Sequence, residues 1–377
     1  MVKNKLNNLL FKSRSVAFII SQIILFFGII ITVCVFISCS SSTYREVYPM
    51  LSDGKYDSEF PYRGCSEQLE KIAESVRMIS CIAYYKNYVF PLESKLRIED
   101  IQNPFFRERA VKEVYLNRTS SGSATVICYG NNRIALLTCA HVVNFEDTVV
   151  THYYKQDGKP TEYIRTVAIK ERQSNYAGAV PGARDLIILK LDESRDLAIV
   201  GQKLESQINP LAVTVFDYPI GKAKELEWGA FVYLFGYPAG YRVVTKGIVS
   251  SPNRDKHGSF LTDAVFNRGF SGGIMLAIRD GVPNFELIGM ATLVPAHQDY
   301  YLTPVKEGEM LEYDPGTPYK GDIYVDSRTE IIYGVAPAIP AEVIFDFLSE
   351  NQEPLLSNGY DIRPILERQP VVKKESP

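Results

Sequence analysis

The sequence predicts an all-β fold that follows an N-terminal membrane segment and ends in a helix. Two observations predict the β architecture: short β-branched and aromatic runs recur between turn residues, and no regular alternation of strands with helices accompanies them. Such a pattern is typical of an antiparallel barrel or sandwich. A third observation sets the N-terminus apart, because thirty consecutive residues from Ser15 to Tyr44 carry no charge.

The composition of the 377-residue chain is that of a globular protein. Hydrophobic residues make up 46% of the chain and charged residues 23%, which is enough apolar material for a large core. The net charge of -3 favours no nucleic-acid partner, since the sequence offers no basic stripe or aromatic and arginine module for one.

Residues 1–39 have the features of a signal or anchor segment. Basic residues precede an apolar run, Val16 to Ile37, that is long enough to span a bilayer. Its end, Phe36-Ile-Ser-Cys39, resembles a bacterial lipoprotein signal in which Cys39 would carry the lipid. A lipoprotein signal and a transmembrane helix both remain open. Both predict a membrane-anchored protein whose later residues face the periplasm or the cell surface of a bacterium.

The remaining chain divides into a linker, a domain and a tail. Residues 40–64 are polar and indicate a linker. The predicted domain covers residues 65–352. A helix over 67–75 and a strand-like run over 76–90 open it, and a helix over 340–350 closes it. Residues 353–377 are predicted to be a loose extension. Short strands are predicted between these elements at 124–128, 134–138, 148–154, 163–169, 186–191, 230–235, 243–250, 260–262, 274–278 and 285–293.

Four cysteines lie beyond Cys39: Cys65, Cys81, Cys128 and Cys139. In an oxidising compartment they could form two disulfides, for which three pairings exist, or they could stay buried as free thiols. The sequence leaves both alternatives open.

A candidate nucleophile lies in the stretch FNRGFSGGIML, which begins at Phe266. Ser271 stands among glycines, which favour tight turns. A serine nucleophile needs a histidine base, and the base needs a carboxylate that fixes its tautomer. Of the four histidines, His141 directly follows a buried strand-like run, while Asp185 stands at the start of another aliphatic run.

The motifs TCAHVV, ARDLIILKL and DAVFNRGFSGGIML occur in the order His, Asp, Ser. Together they resemble the trypsin-like serine peptidases, and within these the HtrA-like group. The resemblance continues in VYLFGYP, KGIVSS and LIGMA and covers about residues 67–351. It implies a trypsin-like double antiparallel β-barrel and an endopeptidase that cleaves polypeptides through an acyl-enzyme, with no metal and no cofactor. No PDZ domain is implied.

The resemblance also implies a role for individual residues. Ser271 would be the nucleophile, His141 the general base and then acid, and Asp185 the orienting carboxylate. The amides of Gly269 and Ser271 would form the oxyanion hole. Four further residues would surround the side chain that precedes the cleaved bond and favour an apolar one: Val265, Met290, Ala291 and Thr292.

Two residues beside Ser271 depart from the family pattern. Phe270 stands where relatives carry Asp or Asn, and Arg268 replaces a common proline. Because no salt bridge can form at Phe270, the turn must be ordered by packing or by substrate. An alternative function is therefore a catalytically impaired trypsin-like scaffold that binds peptides or a partner protein. The sequence does not indicate the oligomeric state.

Overall fold

The computed structural model describes residues 53–61, 63–155, 158–178, 180, 185–204, 213–292, 295–304 and 320–368. The predicted signal or anchor over 1–39, with Cys39, and most of the predicted linker lie outside the described residues. Among the described residues, no helix has the length and apolar character needed to cross a membrane. Contacts divide the chain after Lys55, and the unit described below begins at Tyr56.

Strands dominate this unit. In chain order they are β1 (Val76–Val89), β2 (Lys112–Gly130), β3 (Arg133–Thr138), β4 (Thr148–Tyr154), β5 (Pro160–Ala177), β6 (Ile187–Asp192), β7 (Leu197–Lys203), β8 (Phe231–Gly236), β9 (Val243–Ser251), β10 (Phe260–Thr262), β11 (Ile274–Ile278), β12 (Phe285–Ala291), β13 (Ala296–Thr303), β14 (Tyr324–Ile331) and β15 (Ala336–Pro340). The helices are α1 (Ser66–Ser75), α2 (Ala140–Val143), α3 (Ala341–Ser357) and α4 (Arg363–Glu367). The predicted all-β class is confirmed.

The first sheet contains seven antiparallel strands in the order β4-β5-β1-β2-β3-β7-β6. Its centre is aliphatic, since β3 and β7 bury nearly all of their side chains. The register of these two strands places Thr138 opposite Ala198. The end of β3 therefore lies beside the start of β7. This places the residues that follow β3 close to the residues that precede β7.

The second sheet is a closed barrel in the order β10-β15-β12-β11-β8-β9. All six residues of β8 are buried. Gly273 stands just before β11, where a Cβ would lie 2.3 Å from the carbonyl oxygen of Phe235. This close approach holds the turn that contains Ser271 against the edge of the barrel.

The domain extends beyond both of its predicted boundaries. α3 continues to Ser357, and Tyr360 and Ile362 beyond it are buried. The predicted loose extension is thus ordered from 353 to 368. At the other end, Tyr56 of the predicted linker is buried and donates a hydrogen bond to Glu286 of β12 at 2.7 Å. The domain therefore extends beyond both predicted boundaries. The composition of these segments did not indicate this, because it depends on the contacts of single residues such as Tyr56 and Tyr360.

The four cysteines within the described residues are free and buried. Burial raises the pKa of Cys81 to about 12 and that of Cys128 to about 11. The sequence leaves open two disulfides or four buried free thiols, and the structure shows the free thiols.

Candidate active site

His141 lies in α2, the single helical turn that follows β3. Its backbone amide donates to Oδ1 of Asp196 at 3.0 Å. Its ring nitrogen Nδ1 lies 3.0 Å from Oδ1 and 2.9 Å from Oδ2 of the same residue. One carboxylate thus fixes both the backbone and the ring of His141, and an Nδ1–H tautomer leaves Nε2 free to accept a proton.

Asp196 occupies the turn between β6 and β7. Its φ of 55° lies in the left-handed region, which aspartate adopts more readily than most residues. Its carbonyl accepts from Ala140 at 3.1 Å, and its Oδ2 accepts from the hydroxyl of Thr292 at 2.5 Å. Burial alone would raise the pKa of Asp196, but the hydrogen bonds from His141 and Thr292 outweigh it and lower the pKa. The carboxyl is therefore held in its ionised form.

Asp185, the predicted partner of His141, lies elsewhere. Its Oδ2 accepts from the hydroxyl of Ser174 at 3.0 Å. Because β6 and β7 form an antiparallel hairpin with Asp192 opposite Leu197, the start of β6 is at the far end from the turn that carries Asp196. The predicted His141–Asp185 pair is thus replaced by His141–Asp196.

A signal for Asp196 was present in the sequence. Asp196-Leu-Ala-Ile-Val200 repeats, eleven positions later, the pattern of an aspartate before an aliphatic strand. It also matches the family pattern D-L-A more closely than Asp185-Leu-Ile does. The two strands differ in burial, since the first six residues of β7 are buried and β6 is half exposed.

Backbone contacts pack the turn of Ser271 against the elements that precede His141. The carbonyl of Ser271 accepts from the amide of Ser123 in β2 at 2.7 Å. A Cβ on Gly122 would lie 2.7 Å from that carbonyl and 2.8 Å from Cγ2 of Val142 in α2. A Cβ on Gly272 would lie 3.2 Å from the amide nitrogen of Cys139. The structure thus brings Ser271 and the His141–Asp196 pair together.

The backbone before Ser271 forms a turn with two free donors. The amide of Phe270 donates to the carbonyl of Asn267 at 3.1 Å, and Gly269 has a φ of 106°, as a type II turn requires. The carbonyl of Arg268 accepts from Ala239 at 3.3 Å, so the next N–H, that of Gly269, points the opposite way. Within the described part of the chain, the amides of Gly269 and Ser271 have no acceptor.

Comparison with known proteins finds a family model for this part of the chain. Residues 122–290, which contain His141, Asp196 and Ser271, match the family model of a trypsin-like peptidase domain. This part of the chain is similar to trypsin-like peptidase domains. A solved structure, the crystal structure of the Rv3671c protease in its inactive form, aligns with 14% identity over 75% of this chain and 91% of that chain, with a TM-score of 0.35. No curated protein sequence matches this chain.

Phe270 orders the turn before Ser271 by packing. Its side chain is 2% exposed and belongs to the core of the second barrel, with its ring centroid 5.7 Å from that of Phe266. Gly236 makes room for it, because a Cβ there would lie 2.7 Å from Cδ1 of Phe270. Ser123 adds a polar contact, since its hydroxyl donates to the carbonyl of Gly269 at 2.7 Å.

The four predicted pocket residues differ in exposure. Val265 is 58% exposed and accessible to a ligand. Met290 and Ala291 are wholly buried, so their side chains support the site and do not line an open pocket. The carbonyl of Ala291 accepts from the amide of Gly272 at 2.9 Å, and Thr292 contacts Asp196 as described above.

Cys139 lies beside the His141–Asp196 pair. It is buried, and burial together with the charge of Asp196 raises its pKa well above the usual value. Its Sγ donates to the carbonyl of Ala291 at 3.3 Å. Among the described residues, Cys139, His141 and Asp196 have ligand atoms within 4.8 Å of one another. A protonated thiol is a poor metal ligand, and the other two groups already bind each other.

Proposed function

We propose that this protein is a serine endopeptidase that hydrolyses peptide bonds of polypeptides through Ser271, His141 and Asp196. The observation that carries the proposal is that the His141–Asp196 pair packs against the turn that contains Ser271. In this turn Gly269 and Phe270 directly precede the serine. Asp196 takes the role that the sequence assigned to Asp185.

The reaction follows from these contacts. The hydroxyl oxygen of Ser271 attacks the peptide carbonyl while Nε2 of His141 takes its proton. The developing positive charge on the imidazole is stabilised by the ionised Asp196, which accepts from Nδ1–H. Nε2 then returns the proton to the leaving amine, which yields an acyl-enzyme. Water, deprotonated by the same nitrogen, releases the acid product and restores the Ser271 hydroxyl.

The free amides of Gly269 and Ser271 are placed to bind the oxyanion. A backbone donor of this kind contributes about 3 to 4 kcal/mol to the transition state when it is preorganised. Preorganisation is supported by the hydrogen bond from Ala239 to the carbonyl of Arg268 and by the buried ring of Phe270. An ordered turn supports the peptidase over the alternative of a catalytically impaired scaffold, which the departures at Phe270 and Arg268 had suggested.

A fluorophosphonate probe tests the proposal. We expect the folded protein to form a covalent adduct at Ser271, located by peptide mapping, and the variant Ser271→Ala to form none. Reduced, carboxymethylated α-lactalbumin serves as an unfolded protein substrate, and its cleavage should disappear in the same variant. Folded protein that neither reacts with the probe nor cleaves unfolded protein would contradict the proposal.

We further propose that the domain is exported and tethered to a membrane, either by a transmembrane helix within residues 1–39 or by a lipid on Cys39. The uncharged run behind basic residues supports this proposal. Intact-mass measurement of the protein extracted from membranes tests it, because a chain that starts at a lipidated Cys39 and an uncut chain differ by several kilodaltons. Recovery of the whole chain from the soluble fraction alone would contradict the tether.

A further inference from the structure

We propose that the end of the second barrel that lies opposite Ser271 rests on an anionic membrane surface. This part of the protein, the basal end, consists of Lys224, Trp228 and the turn over 253–259. The inference rests on the proposed membrane tether and adds to it the orientation of the domain. The proposed active site is then directed away from the bilayer, toward polypeptides in the surrounding solution.

Strand directions place the basal end far from the Ser271 turn. β8 ends at Gly236, where a Cβ would lie 2.7 Å from Cδ1 of Phe270. β9 is antiparallel to β8, so the residues before β8 and the residues after β9 meet at the other end. Trp228 and the turn over 253–259 are among those residues. The six residues of β8 put roughly 20 Å of strand between them and the Ser271 turn.

The chain enters the folded unit at the basal end. The amide of Asp57 donates to the carbonyl of Ile278, the last residue of β11, at 2.9 Å. The amide of Phe231, the first residue of β8, donates to the carbonyl of Asp57 at 2.8 Å. Tyr56, the preceding residue, is buried. A tether that precedes Tyr56 therefore joins the domain at this end.

The length of chain before the described residues limits the distance to the membrane. Thirteen residues, 40–52, separate Cys39 from Asp53, the first described residue. At about 3.5 Å per residue, a fully extended chain of this length spans at most roughly 45 Å. The proposed tether therefore keeps the domain close to the bilayer, and the basal end is the part of the domain at which the tether arrives.

Trp228 is the residue of the basal end that suits a bilayer best. It is the single tryptophan of the chain, and it is 72% exposed. Exposure of the indole ring leaves a large apolar surface in water. At a membrane–water interface the ring enters the apolar layer while its N–H keeps polar partners, and tryptophan is enriched there for this reason.

Three free cations lie at the same end. Lys224, Arg254 and Lys256 are exposed and form no ion pair with a described residue. The side-chain amide of Asn253 donates to the carbonyl of Lys224 at 3.1 Å. A Cβ on Gly258 would lie 2.7 Å from Cγ of Lys224. The turn over 253–259 therefore packs against Lys224, which groups the three charges.

Carboxylates at the basal end offset part of this positive charge. Glu225 pairs with Lys222 at 2.9 Å. Asp255 accepts from the hydroxyl of Ser259 at 2.5 Å and is thus engaged within the turn. Glu227 is exposed and opposes one of the three cations. Cations therefore predominate among the exposed side chains, which favours a leaflet that contains anionic lipids.

Tryptophan fluorescence of the full-length protein tests the inference, because Trp228 alone contributes to it. The chain is reconstituted into vesicles of phosphatidylcholine and phosphatidylglycerol in equal parts, with bromine on the acyl chains close to the headgroups as the quencher. We expect the emission to be quenched at low salt and restored as salt is raised, since screening weakens the attraction to anionic lipids. Protein that floats with the vesicles, yet keeps an unquenched emission at every salt concentration, would overturn the inference and leave the tether standing.

A matched pair of double variants tests the cations. Lys224→Gln with Lys256→Gln removes two charges of the basal end, whereas Lys112→Gln with Lys203→Gln removes two exposed charges of the first sheet. The comparison is made at the salt concentration that halves the quenching of the wild type. We expect the first pair to lower the ratio of docked to undocked protein about fivefold per lysine and the second pair to behave as the wild type. Equal quenching in the two double variants would overturn the inference.

Two further outcomes separate the inference from the tether. If the chain does not float with vesicles, the tether fails, and the protein is mixed with an excess of preformed vesicles of the same lipids. Quenching of Trp228 then supports the basal end as a lipid-binding surface, and its absence overturns the inference. Protection of Trp228 that disappears when each vesicle carries a single copy indicates a second copy of the chain at the basal end and also overturns it.

Discussion

At the scale of residues, the sequence prediction and the structure differ in which aspartate contacts His141. The structure has Asp196 where the sequence predicted Asp185. The chain contains two stretches in which Arg-Asp-Leu opens an aliphatic run, at Asp185 and at Asp196. The closer match of Asp196-Leu-Ala to the family pattern favours Asp196 only weakly, because the choice also depends on which end of the β6–β7 hairpin lies beside β3. The register of β3 with β7, which is a long-range property, decides for Asp196. His141 and Ser271 were predictable because each stands in a motif of its own.

The hydroxyl of Thr292 provides a test of how Asp196 is held. Thr292→Val removes the donor at 2.5 Å from Oδ2 and keeps the shape of the side chain. We expect kcat to fall about tenfold with little change in KM, since a hydrogen bond to a charged group contributes roughly 1.5 to 3 kcal/mol. Thr292→Ser keeps the donor and should retain most of the activity. Equal kinetics for the valine and serine variants would show that this hydrogen bond does not position Asp196.

At the scale of elements, the second barrel orders the turn that contains Gly269, Phe270 and Ser271. Phe270 fills the place of a charged or polar residue in relatives and packs into the barrel core. The sequence predicted that packing or substrate must order the turn. Which of the two does so depends on the space that Gly236 leaves beside the ring, and a sequence motif does not contain that information.

Gly236 gives a prediction for this packing. An alanine there would place its Cβ 2.7 Å from Cδ1 of Phe270 and 2.8 Å from Oγ of Ser123. We expect Gly236→Ala to lower the free energy of unfolding by about 1 to 3 kcal/mol through overpacking and to lower kcat as the turn shifts. Gly130→Ala, where a Cβ has nothing within 4 Å, is the control. Urea unfolding and peptidase kinetics measure both, and unchanged kcat in a folded Gly236→Ala would contradict the role of this packing.

An ion-pair network joins the β6–β7 turn to α3. Arg195 donates to Asp192 at 2.5 Å and to Glu350 at 3.0 and 2.5 Å. Hydrogen bonds from Ser194 and Arg195 lower the pKa of Asp192 to about 2. Because this pKa lies below the value of about 3.9 in an unfolded chain, the stabilisation is complete above pH 4 and is lost as pH falls toward 2.

We therefore expect Asp192→Asn to be less stable than the wild type near neutral pH, with a gap that narrows as the pH falls from 4 to 2. Unfolding free energies from urea titrations across this range measure the gap. Glu108→Gln, at an exposed position outside this network, serves as a comparison for loss of a surface carboxylate. A gap that stays constant down to pH 2 would show that Asp192 does not stabilise the fold through its charge.

At the scale of the whole molecule, the all-β class followed from turn-delimited strands and the trypsin-like fold from the joint order of three motifs. Most predicted strands correspond to observed ones. The structure adds β7, the β13–β14 hairpin, β15 and the first half of β2 over 112–121, for which no strand was predicted. Exposed polar strands lack the apolar alternation that signals a strand, and their existence depends on a neighbouring strand.

The thiols test the packing of the first sheet and its surroundings. We expect Cys65, Cys81, Cys128 and Cys139 to resist iodoacetamide in the folded protein and to be alkylated in unreduced protein once it is denatured, because all four are buried and free. Peptide mapping by mass spectrometry identifies the modified residues. Disulfide-linked peptides in the unreduced digest would contradict this arrangement.

The central claim is that Asp196 orients His141 for attack by Ser271, and a matched pair of variants tests it most directly. The rate of fluorophosphonate labelling at Ser271 is measured for Asp196→Asn and for Asp185→Asn, with urea unfolding to verify that both fold. Loss of the carboxylate that fixes the histidine tautomer costs on the order of 10⁴ in rate in related triads. We expect a decrease of at least about 10² for Asp196→Asn and a rate close to the wild type for Asp185→Asn. The reverse order, or equal rates for both variants, would contradict the assignment.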